Sequence, residues 1–352
     1  MKKTKRFLAM LMAAAMLAVS AVGCTPAQSS SEQSSNTVSE ASSAASEVSS
    51  TAEKTTIRVA GLKGPTGFAM VKLMEEADAK TTANNYEITL AGAADEITGK
   101  LLNGELDVAA LPTNLAATLY NKSKGNIQIL ALNTLGVLYV LTKGTEITSV
   151  EDLKGKTVYS TGQGSLPEYA LNYVLTQNGI DPAKDVSIEY LSEHSELATK
   201  MMSSDEPIIA VLPQPFVTQV MMKDDKVKIA LDLTEEWDKA VDGKSVLSMG
   251  CLVVRKDFAE KNKDAVNGFL EEYKASVDFT NNNPADAAKL IEQYQIVASA
   301  AIAEKAIPNC HIVYVDGEEL KSKTKDLFQV LFDANPKSIG GSLPNDDFYY
   351  QK

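Results

Sequence analysis

Apolar positions along the chain fall into short runs separated by Gly-, Pro- and polar-rich turns, and their spacing switches between the strand period and the helix period. Residues 56–60 predict a strand, 61–67 (Gly61 to Gly67) a loop, and 68–77 an amphipathic helix. Residues 86–91 alternate as a strand does, and 97–102 carry a helical stripe. Residues 107–111 predict a buried strand, Pro112, Thr113 and Asn114 a turn, and 115–120 a helix. The order is βαβαβ.

The same order returns about one hundred residues later. Residues 157–160 predict a strand, followed by the loop Thr161-Gly162-Gln163-Gly164-Ser165 and a helix with Leu166, Ala170, Leu171, Val174 and Leu175 on one face. Residues 187–191 predict the next strand, 196–202 a helix, and 208–212 a buried strand that ends in Pro213-Gln214-Pro215 before a helix over 216–222. Gly64 to Gly164 is 100 positions, Pro112 to Pro213 is 101, and the spacings inside the two copies are 48 and 49. Matched offsets predict two related lobes. Right-handed crossovers then place all four loops at the carboxyl ends of parallel strands, where open α/β sheets bind ligands.

Two long apolar segments, 135–142 and 245–255, flank the second unit and predict the crossings between lobes. Gly136 and Gly250 stand in them, either as hinge positions or as sites of a bulge or close packing. The rest, 257–352, is mostly helical and predicted to wrap the first lobe, with Pro284 in the first turn of a helix. This partition gives lobe 1 as 55–140 with 250–352, and lobe 2 as 141–249.

The first 54 residues follow a different pattern. Lys2, Lys3, Lys5 and Arg6 precede an apolar run over 7–22, which is short for a bilayer span of roughly 20 apolar residues. It ends in Ala21-Val22-Gly23-Cys24, which resembles the lipobox of bacterial lipoproteins, although Ala21 stands where Leu is usual. That resemblance implies a signal peptide over 1–23, lipidation of Cys24, and a protein held on the outer face of the cytoplasmic membrane. Residues 25–54 hold eleven Ser among thirty positions and few bulky apolar side chains, too few to offset the entropy of ordering. Residues 24–54 are therefore expected to be a disordered tether with a reach of roughly 30 Å.

Composition changes the picture in two places. The formal net charge of −12 becomes −16 once the four cations of the leader are removed, which excludes the broad basic face that nucleic-acid binding requires. Beyond Cys24 only Cys251 and Cys310 remain, and their spacing leaves open both free thiols and a disulfide; no Cys/His cluster points to a metal. His194 and His311 each stand alone in the sequence and read as surface or loop residues.

Candidate ligand contacts come from the four loops. Helix N-termini present unpaired N–H groups that suit an anion or a carbonyl. Gly64, Pro65, Gly162 and Gly164 let backbone approach a ligand. Thr66, Thr113, Asn114, Gln163, Ser165 and Gln214 supply neutral donors and acceptors, with Pro215 shaping the last loop. The same small polar residues also serve as helix caps. Lys63 is the one basic side chain of these loops, either a charge partner or a solvated lysine. Phe68 and Phe216 suit stacking on a ring or a place in the core.

The array 107–114 (Asp-Val-Ala-Ala-Leu-Pro-Thr-Asn), 162–168 (Gly-Gln-Gly-Ser-Leu-Pro-Glu) and Leu212-Pro213-Gln214-Pro215, behind a lipobox and a Ser-rich linker, resembles the nitrate/sulfonate/taurine and thiamine-pyrimidine branch of ABC substrate-binding proteins. The resemblance implies an α/β protein of the type II periplasmic-binding-protein fold, with two lobes joined by a two-strand hinge. It also implies a monomer without a cofactor that delivers a small organic solute, such as a sulfonate or a pyrimidine, to a permease and ATPase. Two other functions share this outline: a ligand sensor serving a membrane signalling receptor, and a thiamine-pyrimidine-synthase-like enzyme. Against an enzyme, 162–164 lack the third glycine of a dinucleotide loop, 61–67 lack a Gly-Lys-Ser/Thr ending, and no Gly-x-Ser-x-Gly occurs.

Overall fold

The computed structural model describes residues 54–352; the leader, Cys24 and all but the last residue of the tether lie outside the described residues. The first unit runs β1 (Thr56–Leu62), α1 (Pro65–Phe68), α2 (Val71–Asp78), β2 (Asn85–Ala91), α3 (Asp95–Leu102), β3 (Val108–Leu111), α4 (Thr113–Lys122) and β4 (Ile127–Leu135). The second begins with β5 (Leu138–Lys143) and continues β6 (Thr157–Thr161), α5 (Leu166–Gln177), β7 (Ser187–Leu191), α6 (His194–Ser203), β8 (Ile208–Pro213), α7 (Phe216–Lys223), β9 (Lys228–Asp232) and α8 (Leu233–Ala240). The chain then returns through β10 (Ser248–Arg255), α9 (Lys256–Lys261), α10 (Lys263–Asn282), α11 (Pro284–Gln293), α12 (Ala300–Ala306), β11 (Ile312–Val315) and α13 (Gly317–Ala334).

Two sheets result, with orders β11-β4-β10-β3-β1-β2 and β7-β6-β8-β5-β9. In the first, β10 runs antiparallel between β3 and β4; in the second, β5 runs antiparallel between β8 and β9. The internal repeat is thus carried into topology. In each sheet the antiparallel strand that lies between parallel ones arrives directly from the other lobe; β11, at the edge of the first sheet, is antiparallel as well.

Sheet membership sets the changeover between lobes more finely than the apolar runs. The run over 135–142 breaks at Gly136-Val137, because Leu135 pairs with Ser248 in the first sheet while Leu138 pairs with Pro213 in the second. The run over 245–255 is a crossing only in its first residues. From Ser248 onward it is a strand of the first sheet, so residues 138–140 lie with the second lobe and Ser248 and Met249 with the first.

This topology determines where the loops go. β4 is parallel to β1 and β3, so all three end on the same side of their sheet. β5 starts opposite the end of β8, and the Gln214 N–H donates to the Val137 carbonyl at 2.9 Å. The carboxyl ends of both sets of parallel strands therefore converge on the two-residue crossing.

Apolar packing joins the lobes on one side. A continuous cluster includes Leu132, Leu320, Phe328 and Leu331 of the first lobe with Leu138, Leu171, Leu233 and Trp237 of the second. The other face of the first sheet has its own core around Val59, Phe68, Leu73, Phe269 and Tyr273, and the far face of the second sheet packs Leu197, Met201 and Val217. Among the described residues no helix is long and apolar enough to cross a membrane.

Candidate functional site

The four loops predicted from the sequence are built as strand ends running into helices, but they differ in kind. The first is tighter than expected. Gly64, at φ 118°, turns the chain into α1, which is only four residues long and is separated from α2 by Ala69 and Met70. Such a turn has too few aligned peptides for a sizeable dipole. Lys63 is exposed, Pro65 is partly exposed, and the Thr66 hydroxyl donates to the Leu62 carbonyl at 3.1 Å. Of the two places open to Phe68 it takes the core, not a stacking position: it has no exposed surface and packs in the first-lobe core.

In the second loop, Thr113 and Asn114 open α4 and are both buried. Thr113 Oγ1 lies 2.9 Å from Ser248 Oγ. Asn114 Nδ2 donates to the Ser338 carbonyl at 3.0 Å, which fixes the orientation of its amide and leaves Oδ1 buried without a donor.

The third loop needs its glycines: Gly162 and Gly164 have φ 71° and 75°, a region that only Gly enters freely. Ser165 is occupied internally, its hydroxyl donating to the Gly162 carbonyl at 2.6 Å. Gln163 and Gly164 are exposed. Glu168, in the first turn of α5, accepts a hydrogen bond from the Gly164 N–H, and the Tyr169 hydroxyl donates to the Gly164 carbonyl at 3.3 Å. A carboxylate therefore already occupies the positive end of α5, which corrects the expectation of an open anion site there.

In the fourth loop, Gln214 and Pro215 are buried, and Gln214 Oε1 accepts from the N–H and hydroxyl of Thr218 at 3.2 and 2.8 Å. Gln214 thus caps the first turn of α7. Phe216 remains partly exposed, with its ring 5.4 Å from that of His194.

Several polar residues at the crossing were not singled out by sequence reasoning. Asn133 and Thr134, at the end of β4, are buried beside Ser248, and Asn133 Nδ2 lies 3.1 Å from the Tyr273 hydroxyl. Asn133 Oδ1 and Thr134 Oγ1 have no hydrogen-bond partner. Gly250 belongs to this contact by close packing, since an added Cβ would lie 2.6 Å from Asn133 Oδ1 and 2.7 Å from Thr66 Cγ2. The available signal was an Asn-Thr pair interrupting the apolar run of β4. His194, at the start of α6, lies 2.6 Å from Thr161 Oγ1 through Nδ1, and burial depresses its pKa against the opposing field of Glu193.

Both sides of the lobe junction hold space. A cavity of about 620 Å³ lies between α5 and α13, walled by Glu168, Tyr169, Asn172 and Tyr173 from the second lobe and by Asp333 and Asn335 from the first. A smaller one, about 410 Å³, lies where Met222 of α7 faces Ile302 of α12. Both arginines among the described residues are remote from these spaces. Arg58 Nη2 and Arg255 Nη2 meet Asp107 Oδ1 at 2.6 and 3.4 Å, and Arg58 stands four residues, ~13 Å, back from the end of β1.

Loops gathered at the strand ends of two like lobes, beside a short crossing and an interlobe cavity, define the class of two-lobed α/β binding folds. Comparison with known proteins agrees. The model of a family described as NMT1/THI5 like matches residues 133–287. The fold is similar to that of an ABC transporter protein from Parabacteroides distasonis, with a TM-score of 0.71 at 24% identity, covering 85% of this chain and 100% of that one. It is also similar to the periplasmic aliphatic sulphonate binding protein SsuA of Escherichia coli, with a TM-score of 0.68 at 15% identity over 84% of this chain and 92% of that one. A third is the alkanesulfonate-binding protein SsuA of Xanthomonas axonopodis pv. citri bound to MOPS, with a TM-score of 0.60 at 15% identity over 80% and 94%. No curated protein matches the chain. The chain has the type II periplasmic-binding-protein fold.

Proposed function

We propose that this protein is the extracytoplasmic, lipid-anchored solute-binding component of an ABC importer, capturing a small organic solute between its lobes and presenting the closed form to a permease and ATPase. The observation that carries the reading is the convergence of four strand-end loops, two from each of two topologically repeated sheets, on the crossing at Gly136-Val137. A solute seated there touches both lobes, so binding favours the closed arrangement by its differential affinity for it. Similarity to binding proteins of ABC importers supports this role, and the lipobox-like Ala21-Val22-Gly23-Cys24 supports the anchor.

Within the loops, Asn114, Thr113, Gly162, Gly164 and Phe216 are the proposed contacts, joined by Asn133 and His194. Thr66, Ser165 and Gln214 shape the loops, and Lys63 guards the rim. A thermal-shift screen over sulfonates, pyrimidines, aromatic acids and amines tests the binding role. A solute at 100 times its Kd adds about 2.7 kcal/mol of native-state stability by mass action. If no class of small solute shifts unfolding, the receptor reading fails. The anchor has its own test: Cys24→Ala is expected to abolish labelling by a radioactive fatty acid, and continued labelling refutes it.

A further inference from the structure

Given the receptor reading above, the cavity between α5 and α13 adjoins the proposed contacts through Glu168, which accepts from the Gly164 N–H, and its lining indicates the charge of a group bound there. Both arginines among the described residues are tied to Asp107 at the far end of the first sheet. The cavity between α5 and α13 is walled by two carboxylates, Glu168 and Asp333, and no basic side chain lines it. An anion placed there would meet two like charges, a half-buried Glu168 and an exposed Asp333.

The remaining wall suits a cation. Tyr169 and Tyr173 stand one turn apart on α5 and both border the cavity. Their positions are held from behind: the Tyr169 hydroxyl is bonded to Gly164, and the Tyr173 ring packs on Trp237 at 4.9 Å. Burial raises the pKa of both phenols, so they present neutral π-faces. An ammonium group near such faces is attracted by the ring quadrupole, the more so when carboxylates flank it. Asn172 adds a buried Oδ1 that has no donor. Asn114 Oδ1, in the neighbouring loop, is likewise buried and without a donor although its amide orientation is fixed. Unpaired amide acceptors call for N–H donors, because leaving them buried and unmet costs about 1–3 kcal/mol each.

We propose that the cavity between α5 and α13 binds the protonated amine of an organic solute, held by Glu168 and Asp333, faced by Tyr169 and Tyr173, with Asn172 accepting one of its N–H groups. The protein is accordingly selective for amine-bearing solutes over sulfonates of the same shape.

Calorimetry on residues 54–352 with benzylamine, benzyl alcohol and benzenesulfonate varies charge on one ring. Benzylamine is expected to bind at least tenfold more tightly than the other two. Glu168→Gln, which keeps an acceptor for the Gly164 N–H, is expected to weaken benzylamine about tenfold without changing the melting temperature of the free protein. Lys261→Met, an exposed residue of α9 in the first lobe, is expected to leave benzylamine binding unaltered. Tighter binding of benzenesulfonate, equal binding of all three, or absence of benzylamine binding at millimolar concentration overturns the amine assignment. Sulfonate binding would leave the receptor reading intact and remove only this one.

Discussion

His311 Nδ1 hydrogen-bonds the carbonyl oxygen of Gly136, and the Leu135 N–H donates to the His311 carbonyl at 3.1 Å. Because the partner of Nδ1 is a carbonyl, that nitrogen carries the proton. The two bonds attach the crossing to the segment leading into β11, with His311 held at φ 43°. Each bond is worth about 1 kcal/mol. His311→Ala is expected to lower stability in urea by about 1 kcal/mol and to speed hydrogen exchange at the Leu135 amide. His311→Asn, which tolerates the left-handed conformation, should recover part of the loss. Unchanged exchange at Leu135 in the Ala variant would show that His311 does not restrain the crossing.

Gly136 itself has no room for a side chain. An added Cβ would lie 2.1 Å from Thr234 Oγ1 and 2.9 Å from both Thr234 Cβ and Cγ2. Gly136→Ala therefore forces α8 away from the crossing, at an expected cost of about 1–3 kcal/mol. Combining it with Thr234→Ala removes two of the three contacts, so the double variant should be more stable than the sum of the single changes predicts. Strict additivity would place the damage elsewhere.

At the far end of the first sheet, Asp107 is almost fully buried and accepts from the Arg58 N–H, Nε and Nη2 at 3.0, 2.8 and 2.6 Å. Removing it leaves the Arg58 guanidinium without its carboxylate and Arg255 with only the longer contact from Nε to Asp257 Oδ1 at 3.6 Å. Asp107→Ala is expected to cost about 3 kcal/mol, measured by denaturant unfolding. Solute affinity should stay the same, since the pair is remote from the loops. A loss of affinity without a loss of stability would contradict its structural role.

His194 gives a pH dependence of defined sign. Burial depresses its pKa below the ordinary value, so the unfolded chain takes up this proton first as the pH falls. Its contribution to stability is full above an unfolded value of about 6.5 and declines as the pH drops toward the folded value. Replacing it with Gln, which can still bond Thr161, should flatten the stability profile below neutral pH. A steeper acid loss in His194→Gln than in the parent would reverse the assignment.

The two thiols, left open between free and bridged by their spacing, are both free and buried in the structure. Burial raises both pKa values far above the ordinary thiol range, which suppresses the reactive thiolate. Residues 54–352 should show no fast reaction with a disulfide reagent when native and two equivalents when unfolded. A fast-reacting native thiol would contradict the packing of Cys251 or Cys310.

Much of this fold is legible in the chain because repetition is visible even where single elements are ambiguous. The offsets from Gly64 to Gly164 and from Pro112 to Pro213 predict the pair of loops in each lobe, and the sheets bear out the repeat. Strand direction was less visible. A buried strand such as β10 shows the same apolar run whether it crosses between lobes or lies antiparallel inside one, so only pairing reveals that it belongs to the first sheet from Ser248 onward. The short β9 and β11 have no long apolar run to mark them in the sequence. Side-chain roles were the least legible. Thr66, Ser165 and Gln214 have the right chemistry for a ligand, yet their bonds to Leu62, Gly162 and Thr218 are local geometry that composition does not encode. Glu168 closes the motif 162–168 in the sequence, and only the structure shows it turned back onto Gly164.

Small-angle X-ray scattering of residues 54–352, with and without a saturating solute identified by thermal shift, tests the central claim of a two-lobed receptor most directly. The account predicts a smaller radius of gyration in the solute-bound sample, as the lobes close about the crossing at Gly136-Val137. An unchanged profile at saturation would contradict it.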